Sequence, residues 1–170
     1  MRISIRSILC FLLVCHFLVG AFVSAQTVAD SYTPVTEEML IDPPAEDWPM
    51  WRRSYGHWGH SPLDQINNTN VGNLRLAWAW TMGAGRQETT PLVHDGMMFL
   101  VQACDFVEAL DVRDGSRIWQ YRREQVEHPA ALACANRNGA LYEDKVLIAT
   151  HDAHLVALNA RTGEVEWDVQ

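Results

Sequence analysis

The chain has 170 residues, of which 48% are hydrophobic, and its formal net charge is −8 at pH 7. This length suits about one domain with a packed core, and the apolar content argues against disorder across the body of the chain. Because phosphate backbones are bound by basic surfaces, the acidic balance argues against nucleic acid as a partner.

The first 25 residues have the pattern of an export signal. Arg2 and Arg6 form a basic start, an apolar run follows, and Val-Ser-Ala at 23–25 fits the small-residue cleavage rule. The apolar run is short for a membrane span and contains His16, which favours cleavage over an uncleaved anchor. We therefore expect a mature chain that begins near Gln26 and lies in the periplasm.

Three segments precede the regular part of the chain. Residues 26–47 are polar and contain proline, and they predict an extended lead-in that lies over the domain or is partly disordered. Residues 48–74 indicate an ordered loop rich in Gly, His and Trp, with a short helical turn at 69–73 favoured by Asn and Thr capping residues. Residues 75–82 alternate apolar and other side chains, which predicts a strand.

Residues 83–170 contain two near-copies of one pattern. ALDVRDGSRIW at 109–119 reappears as ALNARTGEVEW at 157–167. Turn residues separate short predicted strands at about 89–93, 97–103, 106–110, 117–122, 138–142, 145–150, 154–158 and 164–168. A period of about 40–50 residues built from short strands is typical of β-propeller blades. We therefore predict an all-β propeller fold, with two four-stranded antiparallel blades in this chain.

A blade of this kind needs neighbours, because it cannot bury both of its faces alone. The Trp that ends each copy is expected to pack over the neighbouring blade. The strand at 75–82 has no partner strands before it, and it is predicted to close a last blade of the ring. Two blades cannot form a ring, so we expect the N-terminal portion of a larger propeller. A short protein that assembles several copies into a ring is the alternative.

Several separate motifs resemble the start of the quinoprotein alcohol dehydrogenases, and the resemblance covers about residues 46–170. The motifs are WRRSYG at 51–56, SPLDQIN at 61–67, NVGNLRLAW at 70–78 and ETTPLVHDGMM at 88–98. The resemblance implies an eight-bladed propeller that binds pyrroloquinoline quinone (PQQ) on its axis. It also implies a calcium or lanthanide ion that polarises the quinone, and an Asp that acts as the base.

Two residues match family positions that hold the quinone. Glu88 matches a Glu beside the cofactor, and Arg137 matches an Arg that reaches a carboxylate or carbonyl of the cofactor. PQQ carries several carboxylates, which a guanidinium can bind through paired hydrogen bonds. From the residues alone, both side chains could equally be solvated loop charges. The family's base and metal ligands come from later blades, so no catalytic or metal residue is assigned in this chain.

Two cysteines, Cys104 and Cys134, remain after removal of the predicted signal. In an oxidising compartment they can pair, and two separate buried thiols are the alternative. Many members of the family carry two adjacent cysteines just before the matching Arg and form a disulfide ring there. Here Cys134 stands alone before Arg137, so that ring cannot form.

Two histidine pairs have a spacing of three residues, namely His57 with His60 and His151 with His154. They lie in a loop and at a strand end, and a zinc site would need further ligands in a defined cluster. Turn hydrogen bonds are therefore favoured over a metal site for His151.

The sequence thus predicts part of a periplasmic dehydrogenase that oxidises an alcohol, polyol or sugar by hydride transfer to PQQ. The expected partners of the full-length protein are a small alcohol substrate and an electron acceptor such as a cytochrome c. The chain alone is expected to be inactive, because the base, the metal ligands and the remaining blades lie outside it. The alternative is a non-catalytic propeller scaffold that resembles outer-membrane assembly proteins.

Overall fold

The computed structural model describes residues 28–124, 135–137 and 139–170. The predicted export signal at 1–25 and the predicted disulfide partner Cys134 lie outside the described residues. Within the described ranges, no helix is both long and apolar enough to cross a membrane.

Two four-stranded antiparallel sheets form the body of the chain, and in each sheet the strands follow their sequence order. The first sheet contains β1 (Leu92–His94), β2 (Met97–Gln102), β3 (Phe106–Asp111) and β4 (Arg117–Arg122). The second sheet contains β5 (Ala140–Tyr142), β6 (Lys145–Ala149), β7 (Leu155–Asn159) and β8 (Val165–Val169). The two predicted blades and the all-β class are confirmed.

The turn before the last strand is the same in both blades. The pairing register shifts at the same point of the third strand in each sheet. Beyond it, Gly115 and Gly163 both have φ of +74°, a conformation that favours glycine. A Cβ atom at Gly115 would lie 2.7 Å from the Trp78 indole, and one at Gly163 would lie 2.5 Å from that of Trp119. Glycine is therefore required both by the backbone and by the indole above it.

These indoles connect each blade to the segment before it. Trp78 Nε1 donates to the carbonyl of Val112 in the first blade at 3.0 Å. Trp119 in β4 donates in the same way to the carbonyl of Ala160 in the second blade, at 2.8 Å. The expected packing of the repeat Trp over its neighbour is confirmed for Trp119. Residues 75–82 form no strand within the described chain, so their role as a closing strand stays a prediction.

Charged groups also join the two blades. Arg123, just after β4, donates through Nε to Asp152 at 2.8 Å and through Nη1 to Asp168 at 2.8 Å. The hydrogen bond from Arg123 is the main cause that lowers the pKa of Asp152 to about 2. The second blade is therefore fixed to the first at both an indole and a guanidinium.

The lead-in packs over both blades and contains a helix, α1 (Glu37–Ile41), so it is not extended throughout. Tyr32 and Val35 are buried in the same core cluster as Phe99. The backbone of Val35 exchanges two hydrogen bonds of 2.8 Å with Glu143 at the end of β5. Part of the hydrophobic core thus lies between the lead-in and the two sheets.

Two short 3₁₀ turns complete the described chain. Val71–Asn73 corresponds to the helical turn predicted at 69–73. Ala103–Asp105 joins β2 to β3, and Cys104 within it has φ of +59°. Cys104 is disulfide-bonded. Because Cys134 is outside the described residues, the pairing of Cys104 with Cys134 stays a prediction.

Candidate functional site

The loops that precede the first strand of each blade lie side by side. The amide of Thr90 donates to the carbonyl of Arg137 at 3.3 Å, which joins the two loops through their backbones. Beside this contact, Nε of Arg137 donates to Oε2 of Glu88 at 2.7 Å. The two residues that the family resemblance assigns to the quinone therefore form an ion pair, although 49 positions separate them in the sequence.

A second arginine binds the same carboxylate. Nε of Arg86 lies 2.6 Å from Oε1 of Glu88, so each carboxylate oxygen has its own guanidinium. Arg86 is not among the site residues predicted from the sequence. Its position two residues before Glu88 was the available signal, since side chains at i and i+2 share a side of an extended chain.

The site carries surplus positive charge and is open to solvent. The side chains of Arg86 and Arg137 are 73% and 76% exposed, against 21% for Glu88. The hydrogen bond from Arg137 is the main cause that holds the pKa of Glu88 below its usual range. Burial opposes this effect, and the charges of both arginines add to it. Glu88 is therefore ionised at neutral pH, and two positive charges face one negative charge.

The loop that carries Glu88 is held on the first blade by two amide side chains. Gln87 donates to the carbonyl of Gly83 at 2.8 Å and accepts from the amide of Ala103 at 3.2 Å. Gln102, which is buried in β2, accepts from the amide of Gly83 at 2.7 Å. These contacts fix the backbone on both sides of Arg86.

Arg137 is positioned by its buried neighbour Asn136. The Asn136 amide donates to Oδ1 of Asp105 at 3.1 Å and to the carbonyl of Ala149 at 3.2 Å. Asp105 is 1% exposed and also accepts from the backbone amide of His151 at 3.0 Å. The ring Nδ1 of His151 also lies 3.0 Å from Oδ1 of Asp105. His151 therefore bonds to the loop after β2, 46 positions away, and not within its own turn as the sequence predicted.

A second polar cluster lies at the opposite end of β1. His94 and Asp47 are almost fully buried, and Nδ1 of His94 lies 2.6 Å from Oδ2 of Asp47. Nε2 of the same ring lies 2.9 Å from the carbonyl of Thr33 and 3.4 Å from Oδ2 of Asp95. Both ring nitrogens therefore face oxygen acceptors, which is the environment of a doubly protonated imidazolium.

The electrostatics of this cluster agree with that protonation state. Burial lowers the pKa of His94, but the hydrogen bonds to Asp47 and to the carbonyl of Thr33 outweigh it, together with the charges of Asp47 and Asp95, so that the pKa is raised. Among the described residues, this is the one group of three His, Cys, Asp or Glu ligands close enough to hold a metal ion. Since its ring nitrogens already have protein partners, the cluster is complete without a cation.

The comparisons with known proteins agree with the resemblance noted in the sequence. Residues 48–168 match the family model described as PQQ: glucose/ethanol/alcohol dehydrogenase, beta-propeller domain. The chain is 36% identical over 162 residues to the dehydrogenase subunit of alcohol dehydrogenase (quinone) from Komagataeibacter europaeus, covering 92% of this chain and 22% of that protein.

Two solved structures show the same architecture. The quinohemoprotein alcohol dehydrogenase from Comamonas testosteroni superposes with a TM-score of 0.72 at 32% identity, over 88% of this chain and 23% of that one. A europium-containing methanol dehydrogenase gives a TM-score of 0.72 at 32% identity, over 79% of this chain and 25% of that one. The chain thus spans about a fifth of the length of the curated relatives that it matches.

Proposed function

The chain belongs to the PQQ family of glucose/ethanol/alcohol dehydrogenase beta-propeller domains, and from this premise we propose that it forms part of a quinone-dependent enzyme that oxidises an alcohol, polyol or sugar. Because the chain spans about a fifth of its relatives, the proposed activity belongs to a protein with further blades. The observation that carries the proposal is the ion pair between Glu88 and Arg137, which unites the two family-matched residues in one open site.

The residues around Glu88 fit a carboxylated quinone. Arg137 contacts Glu88 through Nε, and three-quarters of its side chain is exposed, so its terminal nitrogens are accessible within the described part of the chain. A guanidinium binds carboxylates through short charge-assisted hydrogen bonds, and the site has positive charge to spare. The bound quinone would supply the hydride acceptor of the reaction. In this chain, Arg137 would bind the cofactor and Glu88 would orient the guanidinium.

We propose that the metal ion, the base and the electron acceptor are provided by other parts of the protein or by its partners. A calcium or lanthanide ion and a cytochrome c are the expected components, and the likeness to a europium-containing methanol dehydrogenase supports a metal ion. Within the described residues, the Asp47, His94 and Asp95 cluster is already satisfied by protein groups. We also propose a periplasmic location, on the basis of the export signal in the sequence.

The proposal is tested with the protein expressed from its complete gene and purified without cofactor. Titration with PQQ in the presence of calcium or a lanthanide is expected to quench tryptophan fluorescence, and addition of an alcohol is then expected to reduce an artificial dye. Arg137→Ala should weaken PQQ binding by about tenfold or more, because a charged hydrogen bond is lost.

Arg75→Ala is the matched control, since Arg75 is an exposed arginine that donates to the carbonyl of Leu74, the preceding residue. Its affinity for PQQ should stay within about twofold of the unsubstituted protein, as expected for a surface change away from the site. A wild-type protein that binds no PQQ under any of these metal conditions would overturn the proposed function and favour the non-catalytic scaffold.

A further inference from the structure

Glu88 is shared by two arginines from different parts of the chain. Arg137 comes from the loop before β5 and contacts Oε2 at 2.7 Å, while Arg86 comes from the loop before β1 and contacts Oε1 at 2.6 Å. Only Glu88 and Arg137 fall on the positions that resemble the quinone-binding residues of the family. Arg86 is therefore an additional charged group at this site, which the proposed function does not yet use.

The exposure of the two arginines argues against a purely structural role. Ion pairs between solvent-exposed side chains contribute little to stability, because each charge is already well hydrated. Arg86 and Arg137 are 73% and 76% exposed, so their pairing with Glu88 hides little of either guanidinium. What the arrangement does achieve is to hold two like charges side by side across a single carboxylate.

Each guanidinium has five N–H donors, and the contacts of both arginines with Glu88 use Nε. Among the residues that the structure describes, the terminal nitrogens of both side chains are therefore accessible on the same open surface. A ligand with more than one carboxylate can bind both guanidiniums at once, and the surplus positive charge favours the anionic form of such a ligand over a neutral one.

We propose that Arg86 acts with Arg137 as a two-arginine clamp for the carboxylates of the quinone, with Glu88 as the bridge that holds the two guanidiniums together. This inference rests on the proposed function. It assigns to Arg86 a binding role in cofactor recognition, and it predicts that the site distinguishes the charged quinone from forms that lack carboxylate charge.

The test compares Arg86→Ala and Arg86→Lys with the unsubstituted full-length protein by titration with PQQ. Arg86→Ala should weaken binding about tenfold, and Arg86→Lys should recover part of the loss, because a lysine keeps the charge but not the planar fork. Arg75→Ala is again the control with an exposed arginine elsewhere. Tryptophan emission and the thermal unfolding midpoint of each variant show that the blades remain folded.

A second ligand separates direct binding from an indirect effect through Glu88. The trimethyl ester of PQQ lacks the carboxylate charges, so Arg86→Ala should change its affinity by less than about twofold if the guanidinium binds a carboxylate. Equal losses for PQQ and for its ester would overturn the clamp, as would unchanged PQQ binding in Arg86→Ala. If the unsubstituted protein binds no PQQ, the proposed function itself fails, and the clamp fails with it.

Discussion

Glu88 and His94 are both ionisable, but Glu88 lies in an open site and His94 lies in the core. This difference in exposure explains their different roles. The carboxylate of Glu88 lies in an open site, where two guanidiniums with accessible nitrogens lower its pKa. His94 lies in the core, where every polar atom of the ring has a protein partner. An open charged cluster can exchange partners with a ligand, whereas the buried cluster can only hold the fold together.

His94 is predicted to make the stability of the protein depend on pH. Because folding raises the pKa of His94, the folded protein keeps a proton that the unfolded chain releases near pH 6.5. The stabilisation is therefore complete below about pH 6.5 and is lost as the pH rises through the folded-state pKa. The urea concentration at the unfolding midpoint of the full-length protein should therefore decrease as the pH is raised from about 6.5 to above that folded-state pKa.

The substitution His94→Ala tests how much the His94–Asp47 pair contributes to stability. It leaves the carboxylate of Asp47, which is 3% exposed, buried without its partner, so the free energy of unfolding should fall by about 3–5 kcal/mol. His60→Ala is the control, because His60 is exposed and should change stability by no more than about 0.5 kcal/mol. A urea midpoint of the unsubstituted protein that does not change over this pH range would contradict the assignment.

At the scale of the structural element, the blade turn combines a backbone requirement with a contact between blades. The glycine accepts a positive φ, and the indole of the preceding element lies directly over it. The same indole donates to the carbonyl of a residue in that turn, as Trp119 does to Ala160. One short motif therefore sets both the local turn and the position of the next blade.

The substitution Gly163→Ala tests the link between the glycine turn and the indole that packs over it. The added methyl group would lie 2.5 Å from the Trp119 indole, at a residue with φ of +74°. We expect a loss of about 1–3 kcal/mol in the free energy of unfolding from backbone strain, with a further cost from displacement of the indole. Denaturant unfolding followed by tryptophan emission measures both effects.

Gly72→Ala provides the comparison for this variant. Gly72 lies in the 3₁₀ turn Val71–Asn73, and a Cβ atom there meets nothing within 4 Å. Its effect on stability should remain within about 0.5 kcal/mol. Equal losses for Gly72→Ala and Gly163→Ala would show that the indole contact contributes nothing particular.

At the scale of the whole molecule, the described chain exposes apolar surface that a propeller would be expected to cover. Trp58 is 87% exposed and Leu76 is 83% exposed. Trp167 in β8 occupies the position of Trp119 in the repeat, but it is only partly buried, whereas Trp119 is buried. These features are consistent with further blades on both sides of the two described here.

The purified 170-residue chain is therefore expected to associate without a fixed stoichiometry and to oxidise no alcohol after addition of PQQ and calcium. Its exposed apolar side chains would otherwise remain in contact with water, which favours non-specific association. Size-exclusion chromatography with light scattering should show a broad distribution of masses. A single defined oligomer would instead support a ring assembled from several copies of the chain.

Much of the fold was predictable because its signals are local. The repeat around Trp119 and Trp167 located both blades, and turn residues such as Gly115 and Gly163 gave the strand bounds to within a few positions. The lead-in was predicted less well, since the contacts that fix Tyr32 and Val35 come from β2 and from the end of β5. Such contacts leave no periodic pattern in the segment itself.

The site was predictable only in part. The family resemblance selected Glu88 and Arg137 one at a time, and their use in binding PQQ stays a proposal. Glu88 and Arg137 are 49 positions apart in the sequence, and their contact depends on how the loops of the two blades pack together. The contact of Arg86 with the second oxygen of Glu88 was not predicted, because spacing alone does not show which of several exposed arginines has a partner.

The sequence by itself determined the all-β blades, their glycine turns and their tryptophans, because strand alternation and turn chemistry are properties of neighbouring residues. Only the tertiary structure decided which charges meet. Packing one blade beside the next brought Arg137 to Glu88, and folding the lead-in over β1 buried Asp47 against His94. The reason is physical: a local pattern fixes the direction of a side chain, but the partner of a charge is set by distances between segments far apart in the chain.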